Sequence, residues 1–211
     1  MRYYPVFLDI AGKPVVVVGG GEVAARKVDV LLDCSAQVTV VSPELHPELR
    51  ALADAGRIRY IAREYRAGDI EGYTIAVVGT DDTSANAAAA REAREIGVWI
   101  NAVDDLPNCD FIMPGIVRRG DVVVAVSTSG GSPAMARKLR EELQDFITEE
   151  YALLLELAAE VRGELREMDM RVDPEVWNAA LDSELRQLLT QGRRAEAKQR
   201  LVRSLLETTR S

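Results

Sequence analysis

The sequence predicts an α/β protein with a parallel sheet, and three observations support this fold class. Four consecutive valines, Val15–Val18, are typical of a buried strand, and apolar residues at helical spacing follow over Glu22–Leu32. Strand-like and helical patterns then alternate as far as Ala102. The segments between the strands are long enough to hold the crossover helices that parallel neighbours require.

The junction between the first strand and the first helix carries three glycines, Gly19, Gly20 and Gly21, with Ala24 completing a G-x-G-x-x-A spacing. In a Rossmann domain, Gly19 makes the tight turn and Gly21, without a Cβ, lets a pyrophosphate approach the backbone. The helix start supplies N–H groups and a positive dipole end to the phosphates. Because a strand precedes and a helix follows, this motif favours dinucleotide binding over a glycine turn without a ligand.

The other elements of this domain follow in order. We expect strands over Tyr4–Ile10, Gln37–Ser42, Arg57–Ile61, Thr74–Val78 and Val98–Ala102, and helices over Pro47–Ala55 and Thr83–Ile96. Together they predict an NAD-binding Rossmann domain with a parallel sheet over residues 1–112.

The pattern changes after Asp110. Closely spaced strand-like runs at Phe111–Met113, Ile116–Arg119 and Asp121–Val126 leave no room for helices, which predicts antiparallel hairpins. A hydroxyl- and glycine-rich loop then leads into a helix that Pro133 opens, a favoured first helical position. We expect a small β-containing strand-loop-helix region over residues 113–146.

The remainder, residues 147–211, is predicted to be a C-terminal helical domain. The helical pattern runs continuously from Ala134 to about Arg166, then from Pro174 to Gln191 and over Arg194–Glu207. An apolar stripe in this domain needs a partner surface, either the Rossmann domain of the same chain or a second chain. The stripe consists of Leu153, Leu154, Leu157, Val161, Leu181, Leu185, Leu188 and Leu189.

Composition and charge argue against several classes of function. The chain has 211 residues, of which 47% are apolar, and a net charge of −8, which argues against a nucleic-acid-binding protein. No apolar run is long enough to cross a membrane, and the N-terminus lacks the pattern of a signal peptide. Two cysteines far apart suggest reduced thiols, so we expect a cytoplasmic protein. The single histidine, His46, belongs to no cluster with zinc-like spacing, and we expect no metal site.

Polar residues at the predicted strand ends are candidates for ligand contacts, because the carboxyl ends of parallel strands form the ligand crevice. The second strand ends at Ser42 and Pro43, and the first acid after it is Glu44. No arginine stands nearby to bind a 2′-phosphate. These residues weakly favour NAD as the cofactor and do not exclude NADP. Thr80 follows the fourth strand, where lining the cofactor and capping the next helix are both compatible roles. The predicted cofactor-binding residues are Gly19, Gly20, Gly21, Glu22, Val23, Ser42, Pro43 and Thr80.

Two further stretches carry possible chemistry. Three carboxylates, Asp104, Asp105 and Asp110, follow the fifth strand, and one of them at the crevice edge suits a general base, although adjacent acids are commonly only a solvated turn. The loop Ser127–Pro133 suits carboxylate or phosphate oxygens through its backbone N–H groups. Basic residues surround this loop in the sequence, and ordinary surface charge is the alternative for any one of them; they are Arg118, Arg119, Arg137, Lys138 and Arg140.

These motifs, taken in order, resemble a known family. The blocks VVVVGGGEVAARK, GTDD, WINAVDDLPNCDFIMPG and VAVSTSGGSPAMARKLRE, together with YPVFLDIAGK at the N-terminus, resemble the siroheme-synthase dehydrogenase/chelatase module. Members of this family are precorrin-2 dehydrogenases and often also sirohydrochlorin ferrochelatases. The resemblance covers about residues 2–145, and the helical tail matches only in type.

The resemblance implies NAD-dependent oxidation of precorrin-2 to sirohydrochlorin, followed in some members by insertion of Fe²⁺ as a second substrate. It implies a homodimer built through the region after the Rossmann unit and the helical tail. The acid/base of the family falls on Asp104, three residues after Asn101. Substrate binding falls on Asn101, Ser127, Thr128, Ser129, Gly130 and Arg137, with serine in some members where Thr128 stands. Larger members append a methyltransferase domain, and since this chain ends at Ser211 we expect methylation to be done elsewhere.

Two other functions remain open from the sequence. One is a nucleotide-sensing Rossmann module without catalysis, for which the acidic loop and the basic helix have no obvious use. The other is an NAD(P)-dependent dehydrogenase of a different small substrate.

Overall fold

A computed structural model of the chain describes residues 2–208 and divides it into two compact units. The first unit extends to Met113 and the second begins at Pro114. Each unit has its own apolar core.

The first unit is built on a five-stranded sheet in the order β3-β2-β1-β4-β5, with every neighbouring pair parallel. The predicted α/β class is confirmed, with a Rossmann-like arrangement of strands and helices. The strands are β1 (Pro14–Val18), β2 (Gln37–Ser42), β3 (Arg59–Ala62), β4 (Ile75–Val78) and β5 (Trp99–Ala102). The helices are α1 (Glu22–Asp33), α2 (Pro47–Asp54) and α3 (Thr83–Ile96).

The central strand β1 explains why the valine run is so apolar. Val15 and Val17 belong to one core with Ala24 and Val28 of α1, whereas Val16 and Val18 belong to the core on the other face. Both faces of the strand are therefore covered, which removes the alternation that a half-exposed strand would show.

The predicted strand over Tyr4–Ile10 is wrong, because this segment has no strand structure. Its side chains at Tyr4 and Phe7 are 84% and 74% exposed. Pro5 lacks an N–H donor, and both edges of β1 are already occupied by β2 and β4. The segment therefore cannot pair with β1, and it pairs with no other strand of the sheet.

The predicted strand over Phe111–Met113 is also wrong. The carbonyl oxygen of Phe111 accepts a hydrogen bond from the side-chain amide of Asn101 at 3.0 Å. The hydrogen-bond partner of the Phe111 carbonyl oxygen is thus a side chain and not a neighbouring strand, and the segment runs as a loop.

The second unit contains one antiparallel hairpin and five helices among its described residues. The predicted antiparallel pairing is confirmed in β6 (Gly115–Arg119) and β7 (Val122–Val126), where Val117 lies opposite Val124. The helices are α4 (Pro133–Phe146), α5 (Glu150–Glu167), α6 (Pro174–Ala180), α7 (Ser183–Thr190) and α8 (Arg194–Thr208).

Two helices expected to be continuous are each broken. The first breaks at Ile147, where the backbone turns extended and its N–H still donates to Leu143. The second breaks at Asp182, whose side chain accepts a hydrogen bond from the N–H of Leu185 at 2.9 Å and so caps α7. At the second break both helices bury residues in one core, since Ala180 of α6 and Leu185 of α7 belong to the same cluster, whereas α4 before the first break has no buried residue.

Most of the apolar stripe of the tail is buried within the helical bundle itself, although Leu153 is 37% exposed. Leu157, Val161 and Leu185 are fully buried in one cluster with Leu201 and Leu205 of α8. Each such side chain contributes about 1.5–3 kcal/mol by leaving water. The stripe therefore finds its partner in neighbouring helices, which the sequence analysis had not considered. None of the helices in the described part of the chain is long and apolar enough to span a membrane.

Candidate functional site

The loops that follow β1, β2, β4 and β5 lie at the same edge of the sheet. The chain crosses to opposite sides of β1 when it forms β2 and β4, so the order of strands reverses at this point. In open parallel sheets such a switch point leaves a crevice at the carboxyl ends of the strands. The predicted cofactor-binding residues and Asp104 all belong to loops or helix starts at this edge.

Two glycines allow three of these loops to touch. A Cβ on Gly19 would lie 2.5 Å from the carbonyl oxygen of Gly79, and a Cβ on Gly79 would lie 2.8 Å from the side chain of Val103. Gly19 also has a φ of +119°, a conformation that other residues rarely adopt. The loops after β1, β4 and β5 thus form one continuous wall.

Gly20 has a role that the motif spacing did not indicate. A Cβ there would lie 2.1 Å from the carbonyl oxygen of Glu44 and 2.6 Å from the Ser42 hydroxyl oxygen. The carbonyl oxygen of Gly20 accepts a hydrogen bond from the backbone N–H of His46 at 2.7 Å. Gly20 therefore holds the glycine loop against the segment after β2 by close contact and a hydrogen bond. Ser42 and Pro43 consequently lie beside the glycine loop.

The start of α1 is open to a ligand. Gly21 is its N-cap residue, no side chain caps the helix, and a Cβ on Gly21 would meet nothing within 4 Å. Glu22 and Val23 in the first turn are exposed. The first N–H groups of a helix have no partners within it, so this cradle fits the pyrophosphate of a dinucleotide, with its charge favoured by the helix dipole.

Thr80 is held in place by Asn86 of α3. Its hydroxyl donates to the Asn86 side-chain oxygen at 2.8 Å, and its backbone N–H donates to the same oxygen at 3.1 Å. The cap of α3 is Asp82, which accepts from the N–H groups of Ser84 and Ala85. The Ser84 hydroxyl, which donates to Asp82 at 2.6 Å, lowers the pKa of that carboxyl. Thr80 therefore shapes the crevice wall while Asp82 does the capping.

Asp104 stands where the loop leaves β5. Its carboxylate is exposed, and its backbone has a φ of +58°, in the left-handed region that aspartate tolerates better than most residues. The loop is therefore not extended at Asp104, and successive side chains there do not alternate as they would in a strand. Instead the Asp105 carboxylate accepts a hydrogen bond from the Asn108 amide at 2.7 Å, which commits it to the turn.

Two buried side chains hold this loop from below. The Asn101 amide donates to the Phe111 carbonyl oxygen, and the Cys109 thiol donates to the Ala102 carbonyl oxygen at 3.0 Å. Burial raises the pKa of the Cys109 thiol, which keeps it protonated as a donor. Asn101 is thus placed as a support of the loop that carries Asp104.

The hydroxyl-rich loop of the second unit is closed on itself. The Thr128 hydroxyl donates to the Ser132 carbonyl oxygen at 3.0 Å and accepts from the Ser132 N–H at 3.2 Å. The N–H groups of Ser129 and Gly131 also donate within the loop. These three N–H groups are occupied, whereas the side chains of Ser127 and Ser129 are exposed.

Of the basic residues near this loop, Arg137 is exposed on the first turns of α4. Arg119, in contrast, forms an ion pair with Glu149 at 3.2 Å and donates to the Gln144 carbonyl oxygen. Arg140 donates to the Gln144 side chain at 3.1 Å. No group of three or more His, Cys, Asp or Glu residues within residues 2–208 has the geometry to hold a metal ion.

The fold and the crevice define an NAD(P)-binding Rossmann protein, and comparisons with known proteins agree. Residues 6–115 match a family model for NAD(P)-binding, and residues 119–145 match the central region of sirohaem biosynthesis proteins. The chain belongs to the NAD(P)-binding family that the first model defines, and its similarity to sirohaem biosynthesis proteins agrees with the resemblance that its motifs indicated.

Individual relatives support this membership. The siroheme synthase of Methylococcus capsulatus is 40% identical over 96% of this chain, and siroheme synthase 1 of Serratia proteamaculans is 37% identical over 97%. The chain spans only 43% and 44% of these two proteins. A solved structure of SirC, precorrin-2 dehydrogenase, has the same fold, with a TM-score of 0.74 and 24% identity over 95% of this chain and all of that one.

One residue near the site was missed by the sequence analysis. Lys27 lies on α1 and is half-buried; burial lowers the pKa of its amine, and the charge of Asp104 opposes that shift. Its spacing in the sequence could have indicated it, because Lys27 follows Ala24 by three residues and so lies on the same face of α1.

Proposed function

We propose that this protein catalyses the NAD-dependent oxidation of precorrin-2 to sirohydrochlorin in siroheme biosynthesis. The observation that carries the proposal is the exposed Asp104 carboxylate at the crevice edge, one loop away from the open start of α1. The wall formed by Gly19, Gly79 and Val103 links the two. The siroheme synthase relatives, which match almost the whole chain, supply the substrate class.

The reaction removes a hydride and a proton from the substrate. NAD⁺, when bound, accepts the hydride. The start of α1 binds its pyrophosphate, and the segment Ser42–Pro43 and Thr80 line the rest of the cleft. Asp104 accepts the proton as a general base, supported by the loop contacts of Asn101 and Cys109.

Precorrin-2 carries several carboxylates, which suit basic and hydroxyl side chains. We assign Arg137 and the exposed hydroxyls of Ser127 and Ser129 to these carboxylates. Thr128 and Gly130 shape the loop that presents them, since the Thr128 hydroxyl is already bonded to Ser132.

Ferrochelation is a second reaction proposed for the same chain. Insertion of Fe²⁺, a substrate here, into sirohydrochlorin releases two pyrrole protons, which Asp104 accepts one at a time and passes to solvent. The exposed carboxylate needs no rearrangement to change from the first reaction to the second.

We also propose a homodimer through the β6–β7 hairpin. One face of the hairpin is covered by α4 and α5, whereas Ile116 and Val123 on the other are 41% and 37% exposed. A two-stranded sheet with an apolar open face is marginal in water by itself, and a second copy would cover it. Ile116→Arg is expected to give a monomer by light scattering, and a dimer that survives this change would exclude the hairpin.

A cytoplasmic location is consistent with the cysteines. Cys34 is exposed and Cys109 is buried, and both are free thiols. Free thiols persist in a reducing compartment.

The direct test is incubation of the protein with NAD⁺ and precorrin-2 while the absorbance spectrum is recorded. Sirohydrochlorin and NADH are expected to appear in equal amounts. NAD⁺ binding without turnover would instead favour a nucleotide sensor. Subsequent addition of Fe²⁺ under anaerobic conditions tests ferrochelation separately, and an unchanged sirohydrochlorin spectrum would exclude it.

A further inference from the structure

Asn86 holds the loop after β4 through both ends of its side-chain amide. Its Nδ2 donates to the Thr80 carbonyl oxygen at 2.8 Å. Its Oδ1 accepts from the Thr80 backbone N–H at 3.1 Å and from the Thr80 hydroxyl at 2.8 Å. A flipped amide would place an NH₂ group opposite the Thr80 N–H, so this orientation is fixed. Every polar group of Thr80 is therefore bonded to one half-buried side chain.

These bonds decide what the Thr80 hydroxyl can offer to a ligand. A hydroxyl has one proton to donate and two lone pairs that accept. The proton of Thr80 goes to Asn86 or to the Asp82 carbonyl oxygen, which lies 3.1 Å from the hydroxyl oxygen. With either partner the proton is used within the protein. The hydroxyl therefore presents lone pairs to the crevice and accepts hydrogen bonds there.

The start of α3 adds acceptors to this wall of the crevice. The Asp82 carboxylate accepts from the N–H groups of Ser84 and Ala85, which are thereby withdrawn from any ligand. The start of α1, in contrast, has no side-chain cap, and its first N–H groups are free to donate. The crevice thus has a donor side at α1, which suits phosphates, and an acceptor side after β4, which suits hydroxyl groups.

We propose that Asn86 is a positioning residue that holds the Thr80 hydroxyl as the acceptor for a ribose hydroxyl of the bound dinucleotide. The inference deepens the proposed function, because it rests on the proposed cofactor, but it does not depend on the tetrapyrrole substrate. Asn86 acts through Thr80, and its bonds keep the hydroxyl from turning its proton towards the ligand.

The strand order indicates which ribose this is. The strands β2 and β4 lie on opposite sides of β1, and the glycine loop touches the segments that follow both of them. With the pyrophosphate at the start of α1, the adenosine half belongs at the end of β2. The other half then extends towards the loop after β4. Thr80 is therefore assigned to the ribose on the nicotinamide side.

The experiment compares ADP-ribose with ADP, two ligands that differ by that ribose. Calorimetry measures the affinity of each, and of NAD⁺, for the whole protein. Thr80→Val removes the hydroxyl and should weaken NAD⁺ and ADP-ribose about five- to tenfold, the value of one hydrogen bond. The affinity for ADP should not change. Thr80→Ser keeps the hydroxyl and should keep all three affinities.

The positioning role of Asn86 is tested by Asn86→Ala. This change should weaken NAD⁺ and ADP-ribose as Thr80→Val does, again without an effect on ADP. The double variant should bind no more weakly than either single variant, because two residues that act through one contact are not additive. Ser84→Ala is the matched control, since it removes another hydroxyl at the start of α3 and should leave all three affinities unchanged.

The outcomes separate this inference from the proposed function. An unchanged NAD⁺ affinity in Thr80→Val, an equal loss for ADP and ADP-ribose, or additive losses in the double variant would each overturn the role of Asn86 and Thr80. If Asn86→Ala fails to fold, the comparison of Thr80→Val with Thr80→Ser still decides whether the hydroxyl binds the ribose. Failure of the unmodified protein to oxidise precorrin-2 would overturn the proposed function and leave these affinities as they are.

Discussion

Each unit of the molecule contains a glycine-rich loop that leads into a helix, and the two loops differ in how their backbone N–H groups are satisfied. Gly19–Gly21 precedes α1, which has no side-chain cap. Ser127–Ser132 precedes α4, where the Ser132 hydroxyl accepts from the Met135 N–H at 3.2 Å and Thr128 binds Ser132. One helix start is open, and the other is filled by its own side chains.

The difference shows why glycine content alone is a poor guide to anion binding. A helix start that a serine caps has already satisfied part of its donor capacity, so an added anion gains less there. A helix start capped only by glycine keeps its N–H groups and its dipole for a ligand. We therefore assign the dinucleotide to the first loop and only side-chain contacts to the second.

The largest expected effect is on the open loop. Gly21→Asp should abolish NAD⁺ binding, because a carboxylate would then meet the pyrophosphate where only backbone fits. Gly21→Ala is the control for folding, since a Cβ there meets no atom within 4 Å. Calorimetry that finds unchanged NAD⁺ affinity in Gly21→Asp would remove the open loop as the binding site.

The next effect concerns which loop holds the proton acceptor. Asp104→Asn should fold and bind NAD⁺ but lose activity by about a hundredfold or more, as expected for loss of a general base. Asp105→Asn should keep most activity. The measurement is the initial rate of sirohydrochlorin formation in each of the two variants. A near-normal rate for Asp104→Asn would exclude Asp104 as the base and make Ser127–Ser129 the next candidates.

A smaller effect is expected in the self-closed loop. Ser132→Ala removes the cap of α4 and should lower the free energy of unfolding by about 1 kcal/mol. Thr128→Val should destabilise similarly, whereas Thr128→Ser, which keeps the hydroxyl, should not. Denaturant titration measures all three, and NAD⁺ affinity should stay constant; a change in that affinity would contradict the separation of the two loops.

The smallest effect concerns α3. This helix belongs to the same unit as α1, but its start is capped by a side chain, whereas the start of α1 is not. The pKa of Asp82 is lower in the folded protein than in the unfolded chain, mainly through the Ser84 hydroxyl. Its stabilising effect is therefore fully present above the unfolded pKa, near 3.9, and is lost as pH falls through the lower folded value. The difference in melting temperature between the unmodified protein and Asp82→Ala should disappear in acid, and a difference that persists there would exclude the charge as its cause.

Local sequence patterns predicted much of the fold because their causes are local. The valine run, the glycine turn and the apolar spacing of Glu22–Leu32 identified β1 and α1, and Pro133 marked the start of α4. The same reasoning failed at Tyr4–Ile10, where β-forming residues such as Tyr4 and Phe7 are exposed and pair with no strand. It also failed to divide the tail at Ile147 and Asp182, because neither break carries a glycine or proline that would mark it in the sequence.

Local patterns in the sequence were enough to predict the family, the parallel Rossmann sheet and the position of the glycine motif, since strand propensity, helical period and glycine spacing act over a few residues. The tertiary structure was needed to show that Gly20 touches the segment after β2 and that most of the leucine stripe is buried among the helices of the tail. These relations join residues far apart in the chain. They depend on which surfaces meet when the sheet and the bundle close, and no local pattern encodes that choice.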